Sequence, residues 1–474
     1  MLFNSYAFFV FLGTVLIIHF SLPQRWRNVF LLVASYWFYM QWRWEFGLLL
    51  AAQTLINYCC ARAVAGSSDR RRAKGFVALA ALLSFGMLGY YKYFNFFNDS
   101  FRELFLKLGM DYLVPHLNIL LPVGISFYTF QAFGYTMDVY RKQCEPERNL
   151  IRFALFTAFF PQLAAGPIGR APALLPQLRR EMRLEVGNLT TGIQLIIWGL
   201  FKKVVIADRL ALYVDSAYAA PGNCSGATLL LASYLFAVQI YCDFSGYSDI
   251  AIGSAKLLGY DLMQNFNLPY FSRNISEFWK RWHISLTRWF RDYLYIPLGG
   301  NRVSRFRWGV NIMIVFLISG LWHGASWTFV IWGGLHGIYY FIEALLKRLF
   351  PEREEHAQSR GRNWLKILVT FHAVVFAWIF FRAASFSDAL TVIGRIGGEW
   401  GRLSLGASQI TAGLNLLLVA LLLAVDFAAL KGWAGNYFTP GRFPGWVRVI
   451  GYSMLAAGIA LLGVTNNSFI YLQF

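Results

Sequence analysis

The sequence predicts an all-α, polytopic membrane protein of about 11–12 spans with additional re-entrant or interfacial helices. Three observations carry that expectation. The chain is 57% hydrophobic, 18% aromatic and only 14% charged, with a mean hydropathy of +0.46, whereas a soluble domain carries about 25% charged residues. Apolar runs of roughly 18–20 residues, the length that crosses a bilayer as a helix, recur along it. The basic residues gather between those runs. The formal charge of +19 therefore reads as cytoplasmic loops beside anionic lipid headgroups, and nucleic acid is not the expected partner.

The first run, MLFNSYAFFVFLGTVLIIHFSL, has no basic n-region and reads as a retained helix rather than a signal peptide. Arg25 and Arg27 follow it, so it should run from outside to inside. Helices near 28–40 and 46–66 lead to the basic loop Asp69–Lys74, and one near 75–97 crosses back, leaving 98–116 outside. A helix near 117–137 returns to the basic stretch Arg141 to Arg152. FFPQLAAGPIGR (159–170) is too short and too rich in Pro and Gly for a span, and reads as re-entrant. Spans near 188–206 and 227–250 follow. Segment 272–308, with eight Lys and Arg against Glu277 and Asp292, is a cytoplasmic interfacial element. Further spans lie near 309–321 (short, partly re-entrant), 325–346, 364–383, 411–430 and 449–466. This topology places the N-terminus and the last six residues, FIYLQF (469–474), on the external face. No repeat or soluble domain interrupts the pattern, so 1–474 reads as one integral-membrane domain, with 449–474 its terminal helix and tail. The five cysteines show no paired metal spacing, and no metal site is expected.

His323, in ISGLWHGASW (318–327), is an ionisable group in an apolar run, costly to keep at that depth and a functional candidate for that reason. Gly320 and Gly324 beside it would let helices or a ligand approach closely. A neutral imidazole in an apolar site is suited to take a hydroxyl proton. The other reading is a histidine satisfied by a backbone carbonyl. His283, in SEFWKRWHISLTRWFRDYLYIPLGGNR (276–302), follows Trp279, Lys280, Arg281 and Trp282, and by itself reads as an interfacial histidine. His336, thirteen residues past His323, would face roughly the opposite side of an unbroken helix and reads as structural. The basic segment has two open readings, an anchor on anionic lipid or a cradle for the phosphates of a nucleotide-like donor. Asp243 and Asp249, in CDFSGYSDIAIG (242–253), need partners within the membrane, with Lys256 or an arginine of the basic segment at hand. Tyr471 offers a phenol on the external tail, against the plainer reading of aromatic anchoring.

WHGASW, EFWKRWHISLT…RDYLYIPLGGNR, FFPQLAAGPI and CDFSGYSDIAIG together resemble the membrane-bound O-acyltransferase (MBOAT) family. Within it the chain is most similar to the bacterial alginate O-acetylase branch, which includes relatives acting in cellulose and peptidoglycan acetylation. The resemblance spans nearly the whole chain. It implies a multi-helix fold around a central funnel or tunnel, in which a cytoplasmic acyl donor and an acceptor meet at the catalytic histidine. His323 matches the family's principal histidine and His283 its second polar position. The tail resembles a Phe-x-Tyr-Phe-x-Phe motif, whose tyrosine is implicated as an acyl acceptor. Phe469, Tyr471 and Phe474 match, and Leu472 stands for the second phenylalanine, keeping an apolar contact and losing a ring.

The resemblance implies an acetyltransferase of a bacterial inner membrane with no permanently bound cofactor and acetyl-CoA as donor. Lys280, Arg281, Arg288, Arg291 and Arg302 are the candidates for its phosphates. His323 would activate Tyr471, and an external, serine-hydrolase-like partner within an exopolysaccharide biosynthesis complex would pass the acetyl group to an alginate- or cellulose-like polymer. Two other functions stay open at this point: a component of peptidoglycan O-acetylation, and a non-catalytic donor transporter or scaffold.

Overall fold

The computed structural model describes residues 1–164, 166–350, 360–406, 408–433, 444–464 and 469, and no strand occurs among them. The long helices are α1 (Tyr6–Ser21), α2 (Gln24–Met40), α3 (Glu45–Gly66), α4 (Arg70–Leu88), α5 (Ile125–Tyr140), α6 (Val186–Leu200) and α7 (Gly226–Leu257). Two short helices, α8 (Ile275–Arg281) and α9 (Ile284–Phe290), precede α10 (Arg305–His323), α11 (Trp327–Leu349), α12 (Arg360–Arg382), α13 (Gln409–Leu430) and α14 (Gly445–Leu462). Eight helices among the described residues are long and apolar enough to cross a membrane. The remaining expected spans are shorter or broken: α1 and α5 have 16 residues each and α2 has 17.

Three boundaries differ from expectation for local reasons. The helix begun by α4 does not stop near 97 but passes through a π segment, Gly89–Tyr93, and continues to Lys107. The helix expected from 117 starts only at Ile125, after Gly124 at φ +73°. That left-handed turn suits glycine, and a Cβ there would meet the Leu163 carbonyl oxygen at 2.5 Å. The span near 309–321 is a full 19-residue helix, because Ser304 caps it from outside the apolar run.

The chain divides into two compact units, one of residues 1–189 and 254–263, the other of 190–253 and 264–474. In the first, α3, α4 and α5 share a buried polar network. Asn57 donates to Ser84 Oγ at 3.0 Å and accepts from Thr136 at 2.9 Å, while Gln53 donates to the Ser84 carbonyl at 3.0 Å. Such bonds hold helices together where no water competes. The Pro/Gly-rich stretch is broken as anticipated. A four-residue helix, Phe160–Leu163, is buried throughout, with Phe160 N–H donating to Ser35 Oγ at 3.1 Å and Gln162 donating to the Phe156 carbonyl at 2.8 Å. Irregular backbone is tolerated at this depth because it is enclosed by protein and hydrogen-bonded.

In the second unit α7 is the central helix, its apolar window 78% buried, against 0% for that of α14. α10 and α11 form an antiparallel hairpin whose crossing is made by glycines. A Cβ on Gly320 would meet the Phe329 carbonyl oxygen at 2.2 Å, and one on Gly333 the Phe316 carbonyl oxygen at 2.2 Å. Only hydrogen fits at either position, the small-residue packing that lets membrane helices touch.

Candidate active site

All elements of the candidate site belong to the second unit. Asn274 caps α8, its side chain accepting from Glu277 N–H at 2.8 Å, and Glu277 in turn accepts from Arg273 N–H at 2.9 Å. The cap satisfies a donor of the first turn, and Glu277 fastens the residue before it, so a helix of only seven residues can start here. α8 stops at Arg281 and α9 begins at Ile284, and His283 occupies the joint at φ +42°, ψ 56°. A left-handed conformation costs a non-glycine residue about 1–2 kcal/mol and persists only when the surroundings impose it. Asn265 imposes it: its carbonyl accepts from Ile284 N–H at 2.9 Å, and its side-chain oxygen accepts from Ser285 N–H at 3.1 Å and Ser285 Oγ at 2.9 Å.

The bent joint drives the His283 ring into the core. It is fully buried, edge-on to Phe244 of α7 at 4.6 Å between centroids and 5.8 Å from Trp322. His323 is the last residue of α10, 2% exposed, with its ring centroid 6.2 Å from that of His283. Trp332 of α11 and Phe381 of α12 lie at 4.9 and 5.6 Å from it. The two histidines, separated in sequence, are therefore brought together in one aromatic enclosure. Among the described residues no group of three or more His, Cys, Asp or Glu could hold a metal ion.

Burial lowers the His283 pKa from 6.5 to about 3, because the apolar surroundings disfavour the imidazolium. The folded protein therefore keeps His283 neutral, while the unfolded chain takes up a proton below 6.5. This contribution to stability is intact above pH 6.5 and is lost as the pH falls from 6.5 towards 3. Thermal unfolding of the purified protein should accordingly fall between pH 7 and pH 5. The His283→Phe variant should show a shallower fall, and an unchanged slope would exclude this residue as a cause.

The donor-binding candidates fare differently from one another. Lys280, Arg288, Arg291 and Arg302 are exposed, on the side of the segment away from its buried face of Phe278, Trp279, Trp282, Trp289 and Phe290. Arg281 is engaged within the protein, paired with Glu277 at 2.8 Å, and Arg291 pairs with Asp292 at 2.7 Å. None of the five touches the histidine pair through any contact described. The segment is amphipathic and not a span, as its composition implies.

The partners of Asp243 and Asp249 are not those the sequence offered. Lys256 pairs with Asp261 at 2.6 Å. Asp249 pairs with Lys202 at 2.7 Å, and Lys203 pairs with both Asp243 and Asp208, the latter at 2.7 Å. Lys202 also donates to Ser245 Oγ at 2.9 Å. These lysines sit in a π segment, Phe201–Ala207, that continues α6. The signal was legible as two adjacent lysines within IIWGLFKKVVIA, since charge inside an apolar run demands a buried partner.

His336 is also not where helical periodicity placed it. The helix is interrupted at 324–326, and the hairpin folds Trp332 of α11 back onto His323, while His336, one turn further along α11, packs on the same indole at 5.0 Å. Val464 N–H donates to the Val204 carbonyl of the π segment at 2.9 Å. Phe469 is 1% exposed, stacked on Tyr247 at 4.3 Å and 5.7 Å from Phe244. An apolar ring gains more in this pocket than at a water interface. Tyr471 lies outside the described residues.

Comparison with known proteins agrees with this architecture. The sequence pattern of MBOAT, the membrane-bound O-acyltransferase family, matches residues 141–386. The chain is 41% identical to a probable alginate O-acetylase of Pseudomonas aeruginosa, over 91% of this chain and 82% of that protein. It is 35% identical to the peptidoglycan O-acetyltransferase of Helicobacter pylori, over 84% and 80% respectively. A teichoic acid D-alanyltransferase of Bacillus subtilis is 28% identical over 60% of this chain and 73% of its own length. With eight helices among the described residues long and apolar enough to cross a membrane, this chain belongs to the membrane-bound O-acyltransferase family, in the alginate O-acetylase branch, and is a multi-pass membrane O-acyltransferase.

Proposed function

We propose that the protein moves acetyl groups from cytoplasmic acetyl-CoA across a bacterial inner membrane to its own C-terminal tyrosine, for O-acetylation of an exported polysaccharide. The observation that supports this most directly is the burial of Phe469 against Phe244, whose ring is edge-on to His283. Tyr471 follows two residues later in the sequence.

His323 takes the phenolic proton, which at an ordinary pKa of about 10 does not leave unaided at neutral pH. The phenolate attacks the thioester carbonyl, the C–S bond breaks, and the imidazolium returns its proton to the departing thiolate. The products are coenzyme A and an acetyl-tyrosine. His283, neutral and facing His323 across the enclosure, orients the acceptor. An external serine-hydrolase-like transferase then removes the acetyl group and places it on the polymer. Alginate or a cellulose-like chain is the favoured acceptor, given the probable alginate O-acetylases among the relatives. Peptidoglycan is the second reading, favoured by the Helicobacter relative.

Tyr471→Phe removes one hydroxyl and leaves the ring. Purified protein incubated with acetyl-labelled acetyl-CoA should carry the label on its C-terminal peptide, and this variant should not. Retention of label by Tyr471→Phe would eliminate the tail as carrier. Polymer analysis of cells expressing each form distinguishes acetylated exopolysaccharide from acetylated peptidoglycan.

A further inference from the structure

The terminal helix α14 carries the tail, yet little holds it laterally. None of its residues is buried, and the π segment Phe201–Ala207 is the element it packs against, with Gly458 brought to the Phe201 ring. Its 18 residues span about 27 Å, close to the hydrocarbon thickness of a bilayer. Sliding such a helix slightly in lipid costs little, so packing and hydropathy leave its depth loosely set. Its last turn is fixed by other means. Arg209 is half-buried, has no carboxylate partner among the described residues, and donates from Nη2 to the Leu462 carbonyl at 2.6 Å. That carbonyl belongs to the last turn, which lacks intrahelical donors and forms the negative end of the helix dipole, where a cation is favoured. Two residues on, Val464 N–H donates to the Val204 carbonyl at 2.9 Å. The arginine is itself held in place, because Asp208 beside it pairs with the buried Lys203 at 2.7 Å.

We infer that Arg209 is a positioning residue for acyl transfer: its bond to Leu462 sets the depth of α14, and so the register in which the tail is presented to the histidine pair. The inference rests on the tail being the acceptor. The chain is held at Leu462 and Val464, and again at Phe469, whose ring stacks on Tyr247 at 4.3 Å. An arginine suits the first of these points. Its charge-assisted hydrogen bond is stronger than a neutral one, and its planar fork loses little freedom in making it. Register matters because a misplacement of about 1 Å can cost on the order of 10²-fold in rate.

Arg209→Met removes the charge and keeps an unbranched side chain. In the full-length protein in nanodiscs, hydrogen exchange of the Val464 amide, read by mass spectrometry of the peptide spanning it, should be faster in this variant. Labelling of the C-terminal peptide by acetyl-labelled acetyl-CoA should be about tenfold slower at saturating donor, the factor expected for one orienting hydrogen bond. The half-saturating donor concentration should not change. Arg209→Lys keeps a cationic donor and should recover most of the rate. A helix cap with no bearing on transfer would lower the melting temperature and leave the saturating rate intact. That result, unchanged exchange at Val464, or a raised half-saturating concentration would each overturn the assignment. Faster exchange in Arg209→Met, together with no label on the tail of the unmodified protein, would refute the acceptor reading while leaving the hold on α14 in place.

Discussion

Replacement of His323 by alanine is expected to lower acetyl transfer to the C-terminal tail by about 10²–10⁴-fold, the usual worth of a positioned general base. The expectation follows from placement. His323 is 2% exposed at the end of α10, with His283 at 6.2 Å and Trp332 at 4.9 Å, so water is a poor substitute for the missing imidazole. The measurement is single-turnover labelling of purified protein by acetyl-labelled acetyl-CoA, with coenzyme A binding as a check that the site persists. Labelling at the unmodified rate would dismiss the base assignment. His283→Ala should be slower than the unmodified protein too, and the double variant should lose little more than His323→Ala alone, since residues that act as a unit are not additive.

Much of this site is legible in the sequence because its signals are chemical. A histidine inside ISGLWHGASW stands out against an apolar background, and the glycines beside it do make the close crossing, Gly320 against the Phe329 backbone. The helical framework is legible for the same reason, since length and hydropathy alone mark most spans. What the linear pattern hides is where a helix breaks. Periodicity carried past 324–326 treats His323 and His336 as one helix, whereas the hairpin folds Trp332, one turn before His336, back onto His323. Charge pairing is hidden likewise: Asp243 and Asp249 find Lys203 and Lys202 some forty residues upstream, not the nearer Lys256. The bent joint at His283 is a third case, because nothing in WKRWHISL announces a left-handed histidine held by Asn265.

Replacing Lys203 by methionine is expected to destabilise the protein by about 3–5 kcal/mol, the cost of leaving a buried charge uncompensated. Lys203 is 1% exposed and bridges Asp208, 2% exposed, and Asp243, 3% exposed, so both carboxylates would be stranded in apolar surroundings. The damage should extend to the site. Asp243 precedes Phe244, which packs on both His283 and Phe469, and the pairing fixes α7 against the π segment that also receives Val464. Thermal unfolding in detergent reads the stability, and labelling of the tail reads the second effect. Adding Asp208→Asn and Asp243→Asn to Lys203→Met should restore most of the melting temperature, because a neutral set leaves no charge without a counterion. If recovery of the fold also restores labelling, the cluster is a clamp that positions α7. If the fold returns without labelling, the charges themselves hold the tail in register with His283 and His323. A single Lys203→Met variant as stable as the unmodified protein would mean that the three side chains reach water, contrary to their burial.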